Sequence, residues 1–311
     1  MHPAYSVIFF TSASGAGYGL LVWLGLLGAW GQLPSDRWFG FAGFAWGLLM
    51  VTAGLLSSMA HLGHPERAWR AFSQWRSSWL SREGVLSVAT YLPAGITAIG
   101  WVFLERILPW SSLLMALLAI LTICCTAMIY ASLKTIRRWR HPLTLPGYLA
   151  IGLSSGALWL ACLAPAFGAG QGALWLAIFT LAIAGLVKLA YWYSIDHEQP
   201  GSTTASATGL GAPGKVHLFA APHTSENYLQ REMGFAIARK HAVKLRRIAL
   251  ILGFLLPVLL SLLAALLPVL PAFLALVLAV VANGVGVLTE RWLFFAEARH
   301  TVTLYYGAEA A

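Results

Sequence analysis

The chain has 311 residues, of which 59% are hydrophobic and only 10% are charged. Its mean hydropathy of +0.73 is far above the value that a water-soluble domain of this size carries. This composition excludes a soluble globular enzyme and predicts an all-α polytopic membrane protein, in which residues 1–311 form a single integral membrane domain. The net charge of +9 indicates a basic face that attracts anionic lipid or a protein partner, and no nucleic-acid partner is expected.

Eight runs of about twenty apolar residues are each long enough for a helix to cross the hydrocarbon core of a bilayer. No basic residue precedes the first run, so we expect a retained span there and not a cleaved signal peptide. The predicted spans are Tyr5–Trp30, Phe39–Ala60, Gly84–Leu104, Trp110–Leu133, Gly147–Ala166, Gly172–Tyr193, Ile248–Leu267 and Ala272–Phe295.

The Lys and Arg residues are distributed unequally between the two faces that alternating spans create. Only Arg37 and Arg106 fall on one face, while Lys188 and Arg291 lie inside spans. Because positively charged connections stay in the cytoplasm, we expect the other, basic face and both termini to be cytoplasmic, in a bacterial inner membrane. The residues of the basic face are Arg67, Arg70, Arg76, Arg82, Lys134, Arg137, Arg138, Arg140, Lys215, Arg231, Arg239, Lys240, Lys244, Arg246, Arg247 and Arg299.

Residues 61–83 are predicted to form a cytoplasmic interfacial segment between the second and third spans. Ionisable side chains at a membrane boundary usually serve chemistry. A quinone head group lies just below the lipid head groups and exchanges protons as well as electrons. His61 and Glu83 suit that role as candidate catalytic residues, because an imidazole and a partly desolvated carboxyl both titrate near neutral pH. The full candidate quinone-binding set is His61, Glu83, His64, Trp79, Arg82 and Arg291.

Simpler interpretations of the same residues stay open. Glu83 can be a helix N-terminal carboxylate that is stabilised by the helix dipole, and His61 can be a polar helix end. The segment's aromatic side chains either wall the entrance of a site or anchor the segment at the membrane surface. They are Trp69, Phe72, Trp75 and Trp79.

A partner-docking role is predicted for Arg67, Arg70 and Arg76. These residues recur at intervals of three and six on a helix that starts at Pro65. Their guanidinium groups can pair with carboxylates or backbone carbonyls of a protein pressed against the membrane.

A second cytoplasmic connection covers residues 194–247. Its first part is rich in Gly, Ser, Thr and Pro and is predicted to be irregular. Its second part is predicted to be an amphipathic helix that starts at Ser225 and leads into the seventh span. This helix either binds a cytosolic protein or lies on the bilayer surface.

Haem binding, iron-sulfur binding and transport each require a different pattern of residues. All nine His residues fall at span ends or in connections, so no haem is expected, and His61 with His300 is the one geometrically possible pair. The three Cys residues lack the spacing of a cluster site, and no metal site is expected. A secondary anion transporter that uses Lys188, Glu290 and Arg291 is the alternative from a different functional class.

The segment SSMAHLGHPERAWRAF, followed by SREG, resembles the membrane anchor subunits of dimethyl sulfoxide reductase-type molybdoenzymes. These anchors share an H-L-G-x-P-x-R-A motif at the end of the second span and an acidic residue at the start of the third. The resemblance is most specific over residues 57–84, with a weaker echo near residues 291–301. The long connection with APHTSENYLQREMGFAIARKHAVKLRR is similar to the branch that serves cytoplasmic sulfite dehydrogenase, and it is a departure from the reductase branch.

This resemblance implies a haem-free anchor that binds a quinone and holds two partners, an iron-sulfur electron-transfer subunit and a molybdopterin catalytic subunit. The family's quinol-site His and Glu fall on His61 and Glu83. We expect the chain to pass electrons between the iron-sulfur subunit and the quinone pool, with sulfite oxidation as the source. An anchor of a dimethyl sulfoxide reductase, or of another oxyanion or sulfur reductase that uses quinol, is the alternative within the family.

Overall fold

A computed structural model describes residues 5–60, 62, 64–168, 171–198, 201–211, 216, 219–220, 236–306 and 308–309. Over these residues the chain is helical, and eight helices are long and apolar enough to cross a membrane. The prediction of eight long apolar helices is confirmed. The spanning helices are α1 (Tyr5–Ala29), α2 (Arg37–Met59), α3 (Trp79–Leu104), α4 (Pro109–Ala131), α5 (Thr144–Phe167), α6 (Gly172–His197), α7 (Ala242–Ala264) and α8 (Val269–Ala296).

Several helices extend beyond the apolar runs that predict them. Helix α3 begins at Trp79, five residues before the predicted start at Gly84, because Ser78 caps it by accepting a hydrogen bond from the Ser81 N–H. The last residues of the predicted interfacial segment therefore belong to a spanning helix. Backbone hydrogen bonding and caps set the end of a helix, whereas hydropathy reports only the part that lies in hydrocarbon.

Helix α1 lies at the centre of the bundle and packs against α2, α4, α5 and α8. Its contact with α5 is backbone to backbone. A Cβ placed on Gly19 would lie 1.9 Å from the carbonyl oxygen of Gly152, and one placed on Gly156 would lie 2.2 Å from the Leu20 nitrogen. Small residues are what allow membrane helices to approach so closely.

Helices α7 and α8 are joined by a similar contact. A Cβ on Gly286 would lie 2.0 Å from the Gly253 nitrogen. Gly253 is within a π-helical turn, Ile251–Leu255, and the Asn283 side chain donates a hydrogen bond of 2.7 Å to the Gly253 carbonyl. The Gly253 carbonyl of the π-helical turn is therefore hydrogen-bonded by a side chain of α8.

The interfacial segment contains a 3₁₀ helix, Pro65–Gln74, and is fastened to the start of α3. The Ser81 hydroxyl donates to the Ala71 carbonyl, while the Arg82 guanidinium donates to the carbonyls of Trp75 and Arg76 at 3.0 and 2.6 Å. The segment and α3 thus form one connected unit on the basic face.

The predicted amphipathic helix is described only in its last part. Its start at Ser225 lies outside the described residues. A short helix, Ala236–Lys240, is followed directly by α7, which begins at Ala242 and not at the predicted Ile248.

Candidate functional site

Glu83 lies one turn into α3 and is 4% exposed. Its carboxylate accepts a hydrogen bond from the hydroxyl of Thr126 in α4. Among the described residues it forms no ion pair. A buried carboxyl whose partner is a neutral hydroxyl can gain or lose a proton without breaking a salt bridge.

Thr126 also lines a narrow cleft between α1, α4, α5 and α8, which has room for about one water molecule. We call it the polar cleft and define it by the side chains of Tyr18, Thr126, Tyr148, Ser155 and Arg291. Thr126 therefore connects Glu83 to this cleft.

The polar cleft contains an unusual set of unpartnered groups. Among the described residues, the hydroxyls of Tyr148 and Ser155 and the Nε of Arg291 have no hydrogen-bond partner. Each of these three residues is at most 4% exposed. The Tyr18 hydroxyl lies within reach of the Ser87 hydroxyl of α3. Leaving a buried polar group unpaired costs about 1–3 kcal/mol, so each such group needs a partner such as a bound water, an ion or a ligand.

A buried ionic cluster lies on the other side of Arg291. Lys188 of α6 forms an ion pair with Glu290 of α8, and an Arg291 nitrogen lies 3.4 Å from the second oxygen of Glu290. The three side chains are at most 5% exposed. The Lys188 Nζ lies 4.1 Å from the centre of the Tyr191 ring, and the Arg291 guanidinium lies 3.7 Å from that of Tyr148. The structure thus brings together the three residues that sequence analysis groups in the transporter alternative.

This ionic cluster lines a second narrow cleft, between α5, α6 and α8. Tyr148, Ile151 and Arg291 line both clefts. Arg291 therefore contacts both the ionic cluster of Lys188 and Glu290 and the hydroxyl-lined polar cleft.

The candidate quinone-binding residues are divided between the bundle interior and the membrane surface. Glu83 and Arg291 are interior, and Tyr130 of α4 interacts electrostatically with both. His64 is exposed and lies 3.0 Å from a Glu66 oxygen, so the structure does not bring it to Glu83.

The other candidates lie in or near the interfacial segment. Arg82 stacks 4.3 Å from the centre of the Trp79 ring while it donates to the segment's carbonyls. The docking candidates Arg67, Arg70 and Arg76 are exposed along the segment. His61 lies outside the described residues.

Sequence analysis missed Thr126, Tyr18, Tyr148 and Ser155. Each is a hydroxyl inside an apolar span, and polar groups at that depth are a signal of function in membrane helices. Which hydroxyls share a cleft depends on the rotation of each helix, and hydropathy does not report that rotation.

Within the described ranges, no group of three or more His, Cys, Asp and Glu side chains is arranged to hold a metal ion. His141, beside α5, bonds instead to Ser194 and to the Leu143 N–H. The haem-free anchor stays a prediction.

Two comparisons with known proteins cover the chain from end to end. The family model described as the DMSO reductase anchor subunit (DmsC) matches residues 1–307. The chain is also 36% identical, over 336 aligned positions, to a sulfite dehydrogenase subunit of Allochromatium vinosum, with 100% of both chains covered. The chain therefore belongs to the DMSO reductase anchor subunit (DmsC) family.

Proposed function

We propose that this chain is the quinone-reactive membrane anchor of a three-subunit molybdopterin oxidoreductase. It holds an iron-sulfur electron-transfer subunit and a molybdopterin catalytic subunit at the cytoplasmic face, and it passes electrons between them and the quinone pool. The observation that carries this proposal is the buried carboxyl of Glu83, which is bonded to a neutral hydroxyl and lies beside a polar cleft.

The chemistry of a quinone explains why such a carboxyl is useful. Reduction of a quinone to a quinol takes up two protons with two electrons, and oxidation releases them. A carboxylate held by a buried cation stays ionised, because protonation would leave the cation unpaired. Glu83 carries no such constraint, so it is suited to exchange protons with a quinone.

Sulfite oxidation is the reaction that we assign to the complex. The support for it is the full-length similarity to a sulfite dehydrogenase subunit and the long 194–247 connection. The family description names DMSO reductase, which would run electrons in the opposite direction. The catalytic substrate is therefore tested on the purified complex, with sulfite as donor and dimethyl sulfoxide as acceptor.

The transporter alternative is less well supported. The cations that would attract an anion, Lys188 and Arg291, already face the Glu290 carboxylate. Family membership also favours an anchor.

Glu83→Gln tests the proposal directly. We expect quinone-linked turnover of the membrane complex to fall roughly 100-fold or more, the size of effect that loss of a general acid or base produces. Activity with an artificial dye, which bypasses the quinone, should be retained. Glu105→Gln is the matched control, because Glu105 is an exposed carboxylate that pairs with Arg37 on the opposite face. Equal loss of dye and quinone activities would instead give Glu83 a structural role.

We also propose that the basic face and both termini are cytoplasmic. A fluorescent reporter that matures only in the cytoplasm, inserted within residues 201–211, should be active. The same reporter inserted at Gly168, which follows α5 on the opposite face, should be inactive. The reverse pattern would overturn the orientation.

Docking of the partner subunits is assigned to the interfacial segment. In a 3₁₀ helix, side chains three residues apart lie on the same face, so Arg67 and Arg70 are aligned, and Arg76 follows just beyond the helix. Exposed ion pairs contribute about 0–1 kcal/mol each, so any single replacement should be tolerated. Replacing all three by Ala should release the catalytic subunits into the soluble fraction while the anchor stays in the membrane.

Replacing the same three residues by Lys is the matched control for docking. Lys keeps the charge that attracts lipid phosphates but loses the fork of guanidinium donors. If the complex stays bound after the triple Ala replacement, these arginines serve lipid, and docking must lie elsewhere on the basic face.

A further inference from the structure

The 3₁₀ helix of the interfacial segment sorts its side chains into stripes. Because a 3₁₀ helix has three residues per turn, every third side chain lies on the same face. Trp75 continues the geometry just past the last helical residue, with φ −59° and ψ −23°. One face, which we call the aromatic stripe, comprises Trp69, Phe72 and Trp75. The next face, the arginine stripe, comprises Arg67, Arg70, Ser73 and Arg76.

The rest of the described chain leaves much of the aromatic stripe uncovered. Trp69 is 65% exposed, Phe72 is 40% exposed and Trp75 is 53% exposed. The guanidinium groups of Arg70 and Arg76 lie 5.6 and 5.5 Å from the centres of the Trp69 and Trp75 rings. Each such ring can remove about 150–250 Å² from water, so a row of exposed rings marks a surface that binds a membrane or a protein.

The contact between Phe72 and Gly84 shows which way the aromatic stripe points. Helix α3 begins at Trp79, and each further residue lies about 1.5 Å deeper along the helix. The backbone of the segment is level with the start of α3, because the Ser81 hydroxyl donates to the Ala71 carbonyl. The Phe72 ring reaches farther, since a Cβ on Gly84 would lie 3.1 Å from one of its ring carbons. The ring therefore extends toward the apolar part of α3, which starts at Gly84.

We propose that the aromatic stripe inserts into the lipid leaflet beside α3, at the boundary between head groups and acyl chains. Tryptophan and phenylalanine rings are favoured at this boundary. The segment joins two spanning helices, α2 and α3, so its backbone is held close to the membrane surface at both ends. The arginine stripe lies about a third of a turn away and stays on the water side of the leaflet.

This orientation gives membrane anchoring and partner docking to different faces of one short helix. A protein that covered the aromatic stripe would have to approach from the side of the apolar part of α3, which lipid occupies. The arginine stripe has no such obstruction. The inference is independent of the quinone chemistry, because it concerns only how the segment lies on the bilayer.

Nitroxide labels test the orientation in the complete complex, reconstituted in lipid nanodiscs. The three native cysteines are first replaced by alanine, and one cysteine is then introduced at a time. Trp69→Cys and Trp75→Cys report on the aromatic stripe. Ser73→Cys, on the arginine stripe, and Gln74→Cys, on the remaining face, are the matched controls, because both are exposed and lie between the two test positions. Power saturation measures collisions with oxygen, which concentrates in acyl chains, and with a water-soluble nickel chelate.

We expect the ratio of oxygen to nickel collisions to be several-fold higher for labels at positions 69 and 75 than for labels at positions 73 and 74. Equal ratios at all four positions would overturn the proposal. Labels at 69 and 75 that are shielded from both reagents would overturn it as well, because protein and not lipid would then cover the stripe.

Brominated lipids give a second measurement that keeps the native cysteines. Bromine atoms placed near the head-group end of the acyl chains quench tryptophans that lie at that depth. Replacing Trp69 and Trp75 together by Phe keeps two rings in the leaflet and should reduce the quenchable part of the emission. Trp139→Phe is the matched control, because Trp139 stacks on Phe294 and donates to its carbonyl on the same face of the bundle. Quenching that is unchanged in the double variant would contradict insertion of the stripe.

Discussion

Glu83 and Glu290 are buried carboxylates near the basic-face ends of α3 and α8, and their surroundings differ completely. Glu290 is 0% exposed and lies against two cations, Lys188 and Arg291. Glu83 is 4% exposed and receives a hydrogen bond from a threonine hydroxyl. Burial alone therefore does not assign a role to a carboxylate. A cationic partner holds it in the ionised form, whereas a neutral hydroxyl allows it to gain or lose a proton.

The ion pair between Lys188 and Glu290 connects α6 to α8, so its charges hold two helices together. Removal of one member of a buried pair leaves the other uncompensated in a medium of low dielectric constant. Glu83 pairs with no cation among the residues that the structure describes, so its replacement leaves no positive charge unpaired. Its replacement by a neutral isostere should therefore spare the fold and impair only chemistry that needs the proton.

The largest effect is expected from Glu290→Gln, which leaves both Lys188 and Arg291 buried without a carboxylate. We expect a loss of about 3–5 kcal/mol of stability, seen as a lower melting temperature and a lower yield of the anchor in membranes. Glu83→Gln is the matched control and should change stability by less than about 1 kcal/mol, the net worth of one neutral hydrogen bond.

A double-mutant cycle with Lys188→Met sharpens this prediction. If the pair acts as a unit, the combined loss in Lys188→Met with Glu290→Gln should be smaller than the sum of the single losses, with a coupling of about 0.5–3 kcal/mol. Strict additivity would show that Glu290 stabilises α8 in some other way.

The sequence predicts the spans well because the bilayer fixes the length of an apolar helix. It also groups Lys188, Glu290 and Arg291, as the charged residues that a transporter would use. It does not predict which of these side chains touch, because hydropathy leaves the rotation of a helix about its own axis undetermined. Glu290 and Arg291 are neighbours in the chain, yet Arg291 lines the polar cleft and Glu290 does not.

The same limit explains why Thr126 escapes sequence analysis. A threonine inside a span commonly bonds to a carbonyl of its own helix, as Thr122 does to Leu118 and Thr126 does to Thr122. Only the packing of α3 against α4 also brings the Thr126 hydroxyl to Glu83. His64 lies within the same motif as His61, and in the fold its partner is the nearby Glu66.

An intermediate effect is expected at Thr126, the partner that distinguishes the two carboxylates. Thr126→Val keeps the shape of the side chain and removes the hydroxyl, so we expect quinone-linked turnover to fall roughly tenfold, as for loss of one hydrogen bond to a charged group. Thr126→Ser keeps the hydroxyl and should retain most of the turnover. If both variants lose turnover equally, the methyl group and its packing matter more than the bond to Glu83.

The smallest effect is expected at His141, which lies outside the spanning helices and, like Glu83, has neutral hydrogen-bond partners. Its Nδ1 accepts from the Leu143 N–H at 3.1 Å, and its Nε2 lies 2.8 Å from the Ser194 hydroxyl. Burial lowers the pKa of His141, although the charge of Glu198 opposes this shift. The Tyr191 ring packs edge-on against the imidazole.

The sign of the pH effect follows from that lowered pKa. The unfolded chain, in which a histidine has its ordinary pKa of about 6.5, takes up a proton at a higher pH than the folded chain does. The contribution of His141 to stability is therefore present above about pH 6.5 and is lost as the pH falls toward the folded pKa. We expect the melting temperature of the wild-type complex to drop between about pH 7.5 and pH 5.5, and that of His141→Asn to drop less. Asn does not titrate in this range, and its oxygen can take the place of Nδ1 opposite the Leu143 N–H. Equal slopes for the two proteins would show that a neutral partner set does not by itself make a half-buried group sensitive to protonation, and the comparison between Glu83 and Glu290 would then rest on the depth of burial.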